Sequence, residues 1–118
     1  MTDIIELNGD TFLNTLLRRD AGQKPSLIFF KKQNCWACEH AAKGVDAIAP
    51  KYKDKMNFFT VDADKSPGVA WRFADGGFPT ICIFYCIDYE TVPFVEGGGY
   101  SEEHLDQYIA DFLEKMDK

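Results

Sequence analysis

The sequence predicts an α/β fold in which a central mixed β-sheet is flanked by helices, and three observations predict it. Short apolar segments rich in strand-forming residues alternate with segments whose apolar residues recur at helical spacing, an order typical of parallel strands joined by helical crossovers. Towards the C-terminus, two strand-like segments follow one another directly, which indicates an antiparallel hairpin. The amphipathic helix that ends the sequence must then cover one face of the sheet.

The predicted elements follow the order β-α-β-α-β-α-β-β-α. The predicted strands are residues 4–7, 27–31, 56–61, 81–87 and 91–96, with a hairpin turn at 88–90. The predicted helices are one that begins at an N-cap formed by Asp10, one over 39–52, one that begins at an N-cap formed by Ser66, and one from Ser101 onward. Apolar stripes at helical spacing are predicted to be buried in the first, second and last of these: Phe12, Leu13, Leu16 and Leu17; Ala41, Ala42, Val45, Ile48, Ala49 and Tyr52; and Leu105, Tyr108, Ile109, Phe112, Leu113 and Met116. Gly44 is expected to weaken the second helix locally, and Pro50 to end or bend it near its last turn.

Length and charge limit the classes of function. The chain has 118 residues and a net charge of −6, so we expect residues 1–118 to form one domain and expect no nucleic-acid partner. The longest apolar run, residues 81–87, is too short to cross a bilayer, and no membrane association is predicted. The N-terminal residues lack the basic and apolar regions of a signal peptide, which favours a cytoplasmic location. In that reducing compartment, a Cys-x-x-Cys pair is catalytic or binds metal.

Cys35 and Cys38 lie between an apolar strand and a helix, and this position suggests redox chemistry. The unpaired N–H groups and the dipole at a helix N-terminus favour a thiolate over a thiol. Two cysteines three residues apart on a helix lie on the same face. We expect Cys35, at the outer end, to be the nucleophile, and Cys38, one turn inward, to be the resolving thiol. The alternative is that both are inert core cysteines.

A zinc site is a second alternative, because Cys82 and Cys86 could complete a set of four cysteines. Their surroundings read as a core strand rather than a tight turn that gathers two ligands. In a strand the two residues share a face but lie roughly 13 Å apart. A disulfide needs about 4.4–6.8 Å between Cα atoms, so the two cannot be bridged. We interpret both as small core hydrophobes.

Other aromatic and titratable residues are assigned less specific roles. Trp71 and Phe73 are expected to pack in the core or at its rim. His40 and His104 are expected to be solvated. Trp36, between the two cysteines, is expected to be exposed, where it would either dock partner proteins or shield the disulfide.

Four local matches, in the same order along the chain, resemble the thioredoxin family. They are the Cys-x-x-Cys at the start of a helix, a strand followed by Asp-x-x-Pro-Gly within residues 61–70, Gly-Phe-Pro-Thr at 77–80, and Gly-Gly-Tyr-Ser at 98–101. The resemblance covers nearly the whole chain and implies a three-layer sandwich. It also implies a cis peptide before Pro79, with Phe78 beside the cysteines to contact a bound peptide. Gly98 is assigned to the same substrate-binding surface.

The chain also departs from the pattern of that family. The two residues between the cysteines differ, Asn34 stands where the family has Trp, and Lys43 where it has a helix proline. Phe29 stands where the family has a buried Asp, and Thr60 where it has a Lys. Because a phenyl ring accepts no proton from the resolving thiol, we hypothesise a working but slower or more specialised oxidoreductase.

The predicted function is thiol–disulfide exchange with protein substrates through Cys35 and Cys38, in the direction of reduction. No bound cofactor is implied, but an external electron donor, such as a thioredoxin reductase, has to regenerate the dithiol. We expect a monomer. The alternative from another class is a thioredoxin-like protein-binding module that uses Trp36, Phe78 and the substrate groove for partner recognition and has little redox turnover.

Overall fold

A mixed sheet of five strands forms the centre of the part of the chain that the structure describes. The computed structural model describes residues 4–12, 24–74, 77–85, 88–95 and 99–116. The strands are β1 (Ile5–Leu7), β2 (Ser26–Lys31), β3 (Asn57–Asp62), β4 (Thr80–Tyr85) and β5 (Asp88–Thr91). The helices in these ranges are α1 (Trp36–Tyr52), α2 (Pro67–Phe73) and α3 (Glu102–Met116), and residues 9–12 are also helical.

The strands lie in the order β1-β3-β2-β4-β5. β1 and β2 both run parallel to β3, whereas β4 runs antiparallel to β2 and β5 antiparallel to β4. β2 is therefore the central strand, which explains why its side chains are apolar towards both faces. The predicted mixed sheet is confirmed.

The two faces of the sheet carry separate hydrophobic clusters, because successive strand residues point in opposite directions. Leu27 and Phe29 belong to the first cluster, which α1 and α3 cover, whereas Ile28 and Phe30 belong to the second, which α2 and the helical residues 9–12 cover. Each fully buried Leu, Ile or Phe side chain contributes about 1.5–3 kcal/mol relative to an exposed one. The three-layer arrangement that the sequence resemblance implies is confirmed.

At Gly44, α1 packs closely against the segment before α3. A Cβ atom at this position would overlap the carbonyl oxygen of Tyr100 and lie 3.3 Å from Cδ1 of Leu105. Gly44 is therefore a requirement of helix packing rather than only a weak point in α1. Pro50 lies inside the last turn, and α1 ends two residues later at Tyr52, close to the predicted end.

The first helical segment begins at a different cap from the predicted one. The side-chain oxygen of Asn8, not that of Asp10, accepts hydrogen bonds from the backbone N–H groups of Asp10 and Thr11, both at 2.9 Å. The Thr11 hydroxyl oxygen in turn accepts from the N–H of Asn8 at 2.9 Å. Two N–H groups that the helix leaves unpaired are thus satisfied by Asn8. Of the apolar stripe predicted for this helix, Phe12 is buried in the second cluster, and Leu13, Leu16 and Leu17 lie outside the described residues.

The hairpin near the C-terminus is displaced from its predicted position. Residues 88–90, predicted as the turn, belong to β5, which ends at Thr91. Residues 92–94, predicted as part of the partner strand over 91–96, are not in a strand, and residue 96 lies outside the described residues. The ring of Tyr89 stacks on that of Phe84 directly opposite, with 5.2 Å between ring centroids. This cross-strand aromatic pair favours the observed register. Because β5 is an edge strand, as predicted, Pro93 follows it without interrupting the sheet.

α3 covers the first cluster with part of the predicted stripe. Leu105, Ile109 and Phe112 are buried, whereas Met116, also predicted to be buried, is about half-exposed. Met116 is the last residue of the helix and extends beyond the cluster. In the described ranges, none of the helices combines the length and the apolar character needed to cross a membrane.

Candidate active site

Cys35 and Cys38 form a disulfide at the N-terminus of α1, with their Cα atoms 5.2 Å apart. Cys35 is the N-cap residue of this helix, in an extended conformation with φ −118° and ψ 103°. The preceding Asn34 has φ +55°, a left-handed conformation that Asn tolerates better than most residues do. Cys35 is half-buried, whereas Cys38 is only 4% exposed. A partner molecule can therefore reach the sulfur of Cys35 more easily than that of Cys38.

The start of the helix presents hydrogen-bond donors to the outer sulfur. The backbone N–H of Cys38 donates to Sγ of Cys35 at 3.1 Å. This N–H is one of the groups that the first turn of a helix leaves without an intrahelical acceptor. Together with the positive end of the helix dipole, it favours negative charge on this sulfur when the disulfide is reduced.

The loop before β4 contains the predicted cis peptide, between Phe78 and Pro79. Next to it, Gly77 has φ +109°, and its carbonyl oxygen accepts a hydrogen bond from the Thr80 hydroxyl at 2.7 Å. Thr80 pairs with Phe30 in β2, the strand that leads into Cys35. The cis-proline loop and the disulfide therefore lie at the same end of the sheet. Phe78 is half-buried and packs against both hydrophobic clusters.

A groove of about 380 Å³ lies beside the disulfide, between the first turns of α1 and the segment that leads into α3. Trp36, 74% exposed, forms one wall, and its ring contacts that of His40 with 4.3 Å between centroids. Phe94 and Tyr100 lie on the opposite wall, their rings 5.3 Å apart. Gly98, predicted to belong to the substrate-binding surface, lies outside the described residues.

Both histidines have contacts that the sequence prediction missed. His40 is exposed, as expected, but its ring also makes an edge contact with that of Trp36, four residues earlier, and lines the groove. His104 was also expected to be solvated, but its Nε2 lies 2.6 Å from the carbonyl oxygen of Pro93. A carbonyl only accepts, so Nε2–H donates and holds the segment that carries Phe94 against α3. The contact between Trp36 and His40 could have been predicted from their i,i+4 spacing, which places two side chains side by side on a helix.

Trp71 was also assigned incorrectly. It was expected in the core or at its rim, but it is 53% exposed and contacts Phe78 edge-to-face, with 5.0 Å between ring centroids. The neighbouring Phe73 does pack against the second cluster, as expected. The exposure of Trp71 could have been predicted from helical spacing, because a helix whose inner side carries Ala70 and Phe73 directs Trp71 away from the core.

Beneath the disulfide, Phe29 occupies the position where the resemblance would place a buried Asp. Its side chain is 1% exposed and belongs to the same cluster as Cys38. Thr60 is its neighbour in β3. A recess of about 320 Å³ opens beside this pair, and Lys31 and Asp46 are among the residues that line it. A phenyl ring, rather than a proton-accepting group, is thus in the cluster that holds the resolving cysteine.

Cys82 lies on the opposite face of the sheet from Cys38, which argues against a shared zinc site. It is fully buried in the second cluster, and burial raises the pKa of its thiol to about 11 despite a hydrogen bond with Thr91. This agrees with its interpretation as a core hydrophobe. Among the described residues, no group of three or more His, Cys, Asp or Glu side chains could hold a metal ion. Cys86 lies outside the described residues.

Comparison with known proteins relates this geometry to a family. The family model described as Thioredoxin matches residues 3–111. The chain is 37% identical over 78 residues to a chloroplastic M-type thioredoxin of Chlamydomonas reinhardtii, an alignment that covers 66% of this chain and 54% of that protein. It is 34% identical over 62 residues to a thioredoxin of Griffithsia pacifica, with 52% of this chain and 57% of that protein covered.

A third relative is covered more fully. A thioredoxin of Borreliella burgdorferi is 28% identical over 92 residues, which are 78% of this chain and 76% of that protein. The chain thus spans little more than half the length of the first two relatives. The family match, by contrast, extends over nearly the whole chain and includes the disulfide and the cis-proline loop. The chain belongs to the thioredoxin family.

Proposed function

We propose that this protein reduces disulfides in protein substrates through Cys35 and Cys38. The observation that carries the proposal is the disulfide at the N-terminus of α1, in which the sulfur of the more exposed Cys35 accepts a hydrogen bond from the N–H of Cys38. Two thiols in this arrangement can exchange with a disulfide, because one attacks and the other is close enough to resolve the product.

The reaction begins with the reduced dithiol. The thiolate of Cys35 attacks one sulfur of the substrate disulfide, the substrate S–S bond breaks, and the other substrate sulfur leaves as a thiolate. A mixed disulfide now joins Cys35 to the substrate. Cys38 attacks Sγ of Cys35, which releases the second substrate thiolate and forms the Cys35–Cys38 disulfide. Two electrons have then passed from the protein to the substrate.

The proton of Cys38 needs an acceptor in the second step. Phe29, in the cluster beneath Cys38, cannot take it. We assign the proton to the departing substrate thiolate or to water that enters with the substrate. This assignment supports a resolving step slower than one assisted by a buried carboxylate.

The substrate-binding surface is proposed to combine Trp36, Phe78, Pro79 and Gly98. The first three lie at the end of the sheet where the disulfide is found, and the exposure of Trp36 favours docking over shielding of the disulfide. An external dithiol donor, such as a thioredoxin reductase, regenerates the reduced pair. We further propose a single-domain monomer in a reducing compartment such as the cytoplasm, where glutathione and thioredoxin systems keep thiols reduced.

The reduction potential of the Cys35–Cys38 couple tests the direction of transfer. Equilibration with glutathione buffers should give a value near that of reducing thioredoxins, about −270 mV, rather than that of a strong oxidant, about −120 mV. Insulin reduction by the dithiol form should follow. A potential near the oxidant value would overturn the reductant role, and a folded dithiol form that leaves insulin intact would overturn the enzymatic role.

A second candidate function is a binding module with little turnover. The exposed aromatic residues Trp36 and Phe94 on facing walls of the groove favour it, because aromatic side chains dominate many protein interfaces. A binding module would keep its partner when Cys35 is replaced by Ser, whereas a catalyst would lose turnover.

A further inference from the structure

Trp71 is an exposed aromatic residue beside the cis-proline loop, and the exchange reaction does not use it. Its side chain is 53% exposed. One ring contact is edge-to-face with Phe78, at 5.0 Å between centroids and 84° between ring planes. An edge-to-face contact leaves part of an indole face free to bind another apolar group.

Stability of the fold does not account for this tryptophan. The inner side of α2 is formed by Ala70, which is fully buried, and by Phe73, which packs in the second cluster. Trp71 belongs to neither hydrophobic cluster. An indole ring placed half in water contributes little to the core, so its position suggests an interaction with another molecule.

The sheet register places Trp71 near the path of a substrate. Thr80 pairs with Phe30, so the loop that carries Phe78 lies beside the end of β2, and the chain reaches Cys35 shortly after that end. Phe78 packs against both clusters and therefore sits at the end of the sheet, where the two layers meet. Trp71 extends this apolar surface outward from the second layer, on the side away from the groove beside Trp36.

We propose that Trp71 is a specificity-determining residue that binds a bulky apolar side chain of the substrate, close in sequence to the cysteine that Cys35 attacks. This inference rests on the proposed function. A substrate disulfide must reach Sγ of Cys35, so the polypeptide on either side of it has to cross this end of the sheet. An aromatic or large aliphatic side chain in that segment then covers Phe78 and the free face of Trp71.

Peptide disulfides that differ in one side chain test the proposal. Each peptide carries a single Phe, or Ala as its counterpart, at one of the three positions on either side of the reactive cysteine. With the wild-type protein, kcat/KM for the Phe peptide should exceed that for the Ala peptide by about five- to tenfold at one position, the effect expected of one aromatic pair. Equal rates at every position would overturn the proposal while leaving the proposed function intact. A failure to reduce any peptide would overturn the proposed function itself.

Variants of Trp71 assign the preference to this side chain. In Trp71→Ala the ratio of the two rates should fall towards one, with only the contact to Phe78 left, and in Trp71→Phe it should stay above that of Trp71→Ala. Tyr89→Ala is the matched control, because Tyr89 is another half-exposed aromatic residue but lies on the edge strand β5. Its ratio should equal that of the wild type. A ratio unchanged in Trp71→Ala, or lost equally in Tyr89→Ala, would contradict the proposal.

A second measurement keeps Trp71 in place. The chain has two tryptophans, so Trp36→Phe leaves Trp71 as the single indole, and Cys38→Ser in the same protein traps the mixed disulfide. Formation of the mixed disulfide with the preferred Phe peptide should shift the emission of Trp71 to shorter wavelength, because its ring leaves water. The corresponding Ala peptide should shift it less. Identical emission in the two complexes would overturn the proposal.

Discussion

The two ends of α1 have opposite surroundings. At the N-terminal end, Trp36 lines an open groove beside the disulfide, and the first turn is held by the Cys35–Cys38 bond and by its own backbone. At the C-terminal end, α1 is tied to α3, because both Lys51 and Tyr52 bind the carboxylate of Asp106. The comparison shows how one helix can be fixed in the fold and still offer a reactive sulfur to a partner, since its polar contacts with Asp106 of α3 lie at the end away from the reactive turn.

Replacing the cysteines at the open end should have the largest effect. Cys35→Ser removes the nucleophile, and disulfide turnover should fall by about three orders of magnitude or more. Cys38→Ser removes only the resolving thiol, so mixed disulfides with substrates should accumulate and be detectable by mass spectrometry under non-reducing conditions. Retained turnover in Cys35→Ser would show that the open end is not the reactive one.

Alkylation of the reduced protein compares Cys35 at the helix terminus with Cys82 in the core. At neutral pH, iodoacetamide should modify Cys35 on the order of a hundredfold faster than Cys82, because burial raises the pKa of Cys82 to about 11 and leaves little thiolate. The rate at Cys82 should rise only as the pH approaches that value. Peptide mapping distinguishes the sites, and similar rates at both would contradict the contrast between them.

Gly44→Ala tests the close contact with Tyr100, which lies midway between the two ends of α1. Because the added Cβ overlaps the carbonyl oxygen of Tyr100, the free energy of unfolding should fall by about 1–3 kcal/mol, measured by urea denaturation. Gly68→Ala in α2 is the matched control, since nothing lies within 4 Å of its Cβ position. There, stability should be kept or raised by about 0.4–1 kcal/mol. Equal losses would show that helix packing is not the cause.

Asp106→Asn at the anchored end should have the smallest effect. Hydrogen bonds from Lys51 and then Tyr52 lower the pKa of Asp106, so its carboxylate stabilises the fold above the unfolded pKa of about 3.9. That contribution is lost as the pH falls through the lower folded value. The variant should therefore have a lower Tm than the wild type at neutral pH, with the difference vanishing in acid. Asp54→Asn, in the turn after α1, is the control. If the Tm difference between Asp106→Asn and the wild type did not depend on pH, the stabilisation could not be assigned to the Asp106 carboxylate.

The sequence predicted what depends on local pattern. The apolar strand over 27–31, the stripe of α1 and the helix start at the cysteines each follow from residue spacing within one element. The cis peptide before Pro79 followed instead from the resemblance of the short Gly-Phe-Pro-Thr segment to a known family. In these cases, the residues that determine the structure are close together in the chain.

The prediction failed where the structure depends on contacts between segments that are far apart in the sequence. The importance of Gly44 depends on the carbonyl of Tyr100, and the orientation of His104 depends on the carbonyl of Pro93. Thr91 ends its strand rather than beginning it, because the register is fixed by pairing with β4. Trp71 was misassigned because an indole in a short helix suggests a core residue, and its contact with Phe78 of the cis-proline loop cannot be read from local spacing.

The pairing of β1 has a consequence for how the chain folds during its synthesis. Ile5 is made well before its partner Phe59, which lies in a parallel strand much later in the chain. The N-terminal strand has to wait until β3 has been made, although each doubling of the loop that it closes costs only about 0.6 kcal/mol. Because parallel long-range pairing is slow, the addition of β1 is expected to be a late event in folding. The opposite edge, where β5 follows β4 almost directly, can form as soon as those residues are available.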